Sequence, residues 1–204
     1  GMYGTRLLIM NNGVRQQGQQ WGVDHAPELD ANSAGRINVV KGAEAVRYGA
    51  EALGGVILLD GKALPYTRSQ PEGYRSTLYG SNGRRAALTG SVDAGLPLAG
   101  GRAAWRLQGT YLNGGDRSTA HYLLNNTGVR EANGSVAFGW KRDRFEADGY
   151  YSLFSTRIGV LFSAQMGDEQ LLRERIRLGR PTEFYPWTRQ IDYPYQKVVH
   201  QVAK

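Results

Sequence analysis

Asp24, His25 and Glu28 place two carboxylates and an imidazole within five residues, a donor set that could ligate a divalent metal. No further strong ligand lies nearby, and the other histidines, His121 and His200, are far along the chain. A capping or turn role for Asp24 is therefore the preferred reading. No serine sits on a Gly-x-Ser-x-Gly elbow, so a nucleophilic triad has no footing. Lys41-Gly42 and Gly54-Gly55 do not make a phosphate loop, because Gly-x-x-x-x-Gly-Lys-Ser/Thr is absent. Neither catalysis nor a bound cofactor is expected. Arg15, Gln16, Gln17, Gln19, Gln20 and Trp21 are a better candidate: amide donors and acceptors, one cation and one large stacking face, suited to holding a small polar ligand. The alternative is an ordinary surface loop anchored by Trp21. Residues 168–179 read as a short helix, with Asp168 as N-cap, Leu172 and Ile176 on one face and Glu169 paired with Arg173. Its expected role is to order a long loop, with partner binding as the alternative.

The elements that must carry these residues follow two grammars. In 1–60, apolar runs at 6–10, 37–40 and 56–59 read as strands covered on both faces, because their apolar residues do not alternate. Asn11-Asn12-Gly13 is a turn, a short helix is expected at 28–32, and a helix-compatible stretch, 43–48, is closed by Gly49. From residue 72 onward the period is two. Ala86, Leu88, Gly90, Val92, Ala94 and Leu96 share one face, opposite Arg85, Thr89, Ser91 and Asp93. The spans 102–112, 131–140 and 144–154 repeat the pattern. Each is about ten residues, near the roughly 9–11 that cross a bilayer at a tilt. Connections alternate between short (97–101, 141–143) and long (113–130, 156–190), the asymmetry of a membrane barrel. A short first turn at Asn82-Gly83 is the exception. A soluble antiparallel sandwich also alternates, but its packed core would favour Ile and Val over the Ala, Gly, Leu, Trp and Tyr found here.

Composition agrees. The chain has 204 residues, 28 of them glycine, roughly twice the ordinary share. Twelve Tyr and four Trp against five Phe favour side chains that sit where an apolar zone meets water. Cysteine is absent, which excludes disulfides and thiolate metal sites. No apolar run is long enough for a transmembrane helix, which leaves barrel strands. Net charge is +7, and residues 1–60, with five basic and six acidic side chains, contribute none of the excess. The remaining basic residues are scattered singly, so a solvated or lumen-facing polar face is read in preference to a nucleic-acid surface. Gly1-Met2 looks like a tag scar before a start codon. Residues 196–204 have a strand pattern without a closing turn, so both ends are expected to be cut.

Arg36, Ile37, Val39, Lys41, Gly42, Tyr48, Gly49, Gly54, Gly55, Val56 and Ile57 form a block that resembles the C-terminal half of the plug domain of TonB-dependent outer-membrane receptors. The likeness is specific over about 4–60 and extends to 72–204 at the level of pattern. It implies an α+β plug segment (1–60), a linker (61–71), and an antiparallel β meander (72–204) forming the first five to six strands of a partial transmembrane β-barrel. It further implies a receptor in the outer membrane of a Gram-negative bacterium, surrounded by lipid. Such a receptor takes up an external small molecule: a ferric siderophore, haem, cobalamin or glycan. TonB would supply energy through a box not found here, and the loop from Arg15 to Trp21 would face the ligand. Six strands cannot close around a plug, so the resemblance does not imply transport by this chain alone. A soluble or self-associating β-sheet binding module is the alternative.

Overall fold

The structure is a computed structural model and describes residues 7–17, 28–164, 167–182 and 184–204. Its N-terminal part is a four-stranded mixed sheet. β1 (Leu7–Asn11) turns at Asn12-Gly13 into the two-residue β2 (Val14–Arg15). β3 (Ala34–Val40) and β4 (Gly55–Gly61) complete the order β2-β1-β4-β3, with β1 and β4 parallel. Two 3₁₀ segments, Gly42–Tyr48 and Ala50–Gly54, join β3 to β4. They press Ala45 and Ala52 onto Leu8 and the fully buried Val56. The small alanines let the backbone approach the sheet closely, and each buried Leu or Val contributes about 1.5–3 kcal/mol.

Two glycines make that connection possible. Gly49 (φ 111°, ψ 174°) and Gly55 (φ 127°, ψ 178°) occupy backbone space that side chains exclude. At Gly55 a Cβ would also lie 2.8 Å from the Val40 carbonyl oxygen. Gly54 only ends the preceding segment and has no positive φ. Two expectations are corrected. β3 is an edge strand whose Ile37 and Val39 are more than half exposed, so it is not covered on both faces. The helix expected at 28–32 shrinks to a 3₁₀ turn, Ala31–Ser33. There the Asp30 carboxylate accepts from the Asn32 backbone N–H (2.9 Å), a local bond that competes with helix.

The larger part is a six-stranded antiparallel meander: β5 (Glu72–Gly80), β6 (Arg85–Leu98), β7 (Gly101–Gly114), β10 (Val129–Arg142), β11 (Phe145–Gly159) and β12 (Tyr195–Ala203). A small hairpin, β8 (Arg117–Ser118) with β9 (Leu123–Leu124), lies in the loop after β7. Four of the strands run 14 or 15 residues, longer than the expected ten. Backbone pairing continues past the apolar stretch into polar residues such as Asn113, Arg130 and Arg157, where alternation in hydropathy no longer marks it. Helix α1 (Glu169–Leu178) matches its expected caps: Asp168 accepts from the Leu171 N–H at 2.7 Å, and Gly179 is left-handed.

The two faces of this sheet differ sharply. On the outer face Val92, Leu107, Val136 and Tyr151 stand in one directly paired row, flanked by Leu88, Tyr111, Phe138, Leu153 and Val199. Leu88 is 54% exposed, Leu107 49% and Phe138 46%. The inner face carries Thr89, Asp93, Arg106, Gln108, Thr110, Asn133 and His200, and Glu28 and Asp30 of the N-terminal part dock against it. The sheet is open, with β5 and β12 as its edges. Its alternating faces do not close on one another as a dry core. No helix among the described residues is long and apolar enough to cross a membrane.

Candidate functional site

The inner face meets the N-terminal part through polar contacts. Gln108, in the middle of β7, donates to Asp30 Oδ2 (2.8 Å) and Thr110 Oγ1 (3.1 Å) and accepts from Ser135 Oγ (3.1 Å). His200 on β12 pairs with the buried Glu28 carboxylate. Tyr74 donates to the Asn32 carbonyl (3.4 Å). Asp93 on β6 is directly opposite Arg106 on β7, and Arg106 Nε and Nη2 reach Asp93 Oδ2 at 2.8 and 2.6 Å. Arg106 then donates to the carbonyls of Lys62 and Ala63, the latter at 2.9 Å. Arg68 pairs with the other side of Asp93 and with Glu72. Residues 62–71 are thus fastened to the inner face. Tyr66 lies against Gly139, where a side chain would not fit, with the Lys141 ammonium 4.6 Å from its ring centre. Burial pushes the Tyr66 hydroxyl above the usual tyrosine range.

Between this linker and the inner face is a cavity of about 300 Å³ lined by Asn12, Lys62, Arg106, Glu146, Asp148 and Lys204, among others. An interface of this kind, polar and hydrogen-bonded, separates at lower cost than an apolar core, because water replaces each lost partner.

The sequence-expected loop is only partly described. Arg15 pairs with Glu51, and Gln17 is exposed. Gln16 is buried, its amide donating to the Glu28 carbonyl (3.2 Å) and its backbone N–H to Ile9 (2.8 Å). Gln19, Gln20 and Trp21 lie outside the described residues, as do Asp24 and His25. Among the described residues no metal-binding cluster of acids and histidines occurs. Of the glycine-rich block, Arg36 and Lys41 are exposed, Gly42 and Gly49 have left-handed φ, and Tyr48 packs on the N-terminal core.

A second arrangement, on the long-loop side, had no sequence signal because its members are far apart in the chain. Asp116, 1% exposed, accepts from the N–H groups of Thr127 (3.1 Å) and Thr188 (3.3 Å). Asn126 donates to the carbonyls of Val160, Asp192 and Pro194 at 2.8–3.1 Å. These bonds hold an open pocket of about 560 Å³ walled by Phe162, Tyr185 and Trp187. The first two rings meet edge to face at 5.6 Å, and the Arg84 guanidinium sits 4.1 Å from the centre of the Trp187 ring.

Compared with known families, residues 1–56 match the model of the TonB-dependent receptor plug domain. Residues 1–56 are therefore similar to a plug segment of that family, whose members are transporter components of the Gram-negative outer membrane that engage TonB and external ligands. No curated protein matches the chain.

Proposed function

We propose that this chain is part of a TonB-dependent receptor that takes up a scarce nutrient, with residues 1–60 as the C-terminal half of the plug, 61–71 as linker and 72–204 as six strands of the barrel wall. The observation that carries this reading is the division of one sheet into a bare apolar face and a polar face filled by the plug segment. In water the apolar face is a liability; in lipid it is the favourable surface. The edges β5 and β12 require further strands, because an unpaired backbone group in lipid costs several kcal/mol.

In this role the polar contacts of Asp30, Glu28 and residues 62–66 hold the plug at rest and release it when TonB pulls. Arg15, Gln17, Gln19, Gln20 and Trp21 contact the external ligand, with Gln16 holding their loop through Glu28. A ferric siderophore, haem or cobalamin suits the amide-rich loop and the aromatic pocket of Phe162, Tyr185 and Trp187. The test is partition of the full chain into phosphatidylcholine vesicles containing brominated lipid. Trp105 and Trp140, on the outer face, are expected to be quenched, and Trp187 is not. A stable, unquenched monomer in detergent-free buffer overturns the reading. A second reading, a self-associating sheet that displays its loop to a partner, is favoured by the open edges and predicts soluble oligomers without quenching.

A further inference from the structure

The outer face carries a row of cations that has no acidic partner among the described residues. Arg130 on β10 is directly opposite Arg157 on β11, and Arg157 is directly opposite Lys197 on β12. All three lie within two residues of the long-loop ends of their strands. Neighbouring strands are about 4.8 Å apart, so three like charges fall within roughly 10 Å, an arrangement that destabilises a sheet unless something neutralises it. The sheet does not. The five carboxylates on the six strands, Glu72, Asp93, Glu131, Glu146 and Asp148, all fall on the inner face by register.

Arg130 and Lys197 are exposed, and neither side chain has an ion pair or hydrogen bond among the described residues. Arg157 stacks on the Tyr195 ring at 3.7 Å and donates from Nη2 to the Ile191 carbonyl (3.3 Å), while its Nε is buried without a partner. The other outward cations, Arg75 on the edge strand and Arg142 beside the short turn, stand apart. Immediately inside the row come Ala132, Ser155 and Val199, the start of the uncharged band.

We propose that Arg130, Arg157 and Lys197 form a binding site for the phosphate groups of an anionic lipid headgroup at the long-loop border of the wall. The proposal rests on the wall reading above. Two guanidiniums and an ammonium, fixed at one level by the ladder, match the oxygens of a phosphomonoester, and guanidinium–phosphate bonds are among the strong charge-assisted ones. Arg157 is held in place by Tyr195 and Ile191, which lowers the entropy lost on binding.

The experiment compares partition of the full chain into vesicles of phosphatidylcholine alone and of phosphatidylcholine with phosphatidic acid, at fixed ionic strength. The wild type is expected to bind the acidic vesicles more tightly. The triple variant R130Q/R157Q/K197Q loses that increment, at roughly fivefold per cation and on the order of a hundredfold in all. A charge-matched variant on and just after the loop helix, R173Q/R177Q/R180Q, keeps it. The single variant R130Q, which breaks no bond among the described residues, shows its own share and guards against misfolding. An increment that survives in the triple variant overturns the proposal. So does its abolition by inorganic phosphate exchanged for chloride at equal ionic strength, because that marks a free-anion site. Failure to insert into neutral vesicles at all overturns the wall reading, and this proposal with it.

Discussion

Gln108 and Asp30, 78 residues apart in the chain, meet at 2.8 Å where the inner face of the sheet touches the N-terminal part. Asp30 also accepts two bonds from Asn32, so one carboxylate both shapes its own turn and ties it to the wall. Replacing Asp30 with Ala removes all three. The expected cost is about 1–3 kcal/mol, read as faster amide exchange in residues 28–40 with little change in β7. Equal protection in mutant and wild type would show that the contact holds nothing.

Gly55 and its neighbour Gly54 should respond differently. Valine at Gly55 needs a backbone closed to side chains and a Cβ 2.8 Å from the Val40 oxygen, so a loss of about 3 kcal/mol or more is expected. Alanine at Gly54, whose φ is not positive, should cost less than about 1 kcal/mol. Melting midpoints of the two variants decide the matter, and equal values would contradict the geometry.

Asp93 is a buried carboxylate between two arginines. Asp93→Asn leaves Arg106 without its carboxylate and Arg68 with Glu72 alone, and about 3–5 kcal/mol of stability should be lost. Denaturant unfolding checks this. The double variant D93N/R106Q should recover part of the loss, and a loss equal to the sum of the singles would refute the pairing.

Phe138 is central on the outer face and 46% exposed. Phe138→Arg should leave the fold intact in detergent and cut partition into vesicles by about 2 kcal/mol or more, the scale for a cation on the lipid side of a barrel. Unchanged partition would mean that this face does not meet lipid.

Tyr66 supplies a pH dependence. Burial favours its neutral form, so its folded pKa is raised above the unfolded value of about 10. The stabilisation it contributes is fully present below pH of about 10 and is lost as pH rises through the folded value. Tyr66→Phe should flatten the alkaline limb of stability against pH. A limb of the same slope in the variant would assign the effect elsewhere.

Much of the fold was legible locally. Alternation along β6, β7, β10 and β11 named the two faces of the sheet, because side chains of a strand must point to opposite sides. Asp168, Glu169 and Gly179 specified α1, because caps and i,i+4 pairs act within a turn or two. The glycine block specified the tight connection between β3 and β4, because the φ required at Gly49 and Gly55 is a property of the backbone alone. Even there the local reading mistook β3 for a doubly covered strand, since coverage depends on what packs alongside.

Which polar residues meet was decided only by the tertiary structure. Glu28 reaches His200 across 172 residues, Asp116 reaches Thr188 across 72, and Arg130 faces Arg157 because a turn at Asp143 sets the register of β10 on β11. Hydropathy is a property of each side chain and can be read one residue at a time. A hydrogen bond or an unpaired cation depends on distances that exist only once strand register and docking have been set.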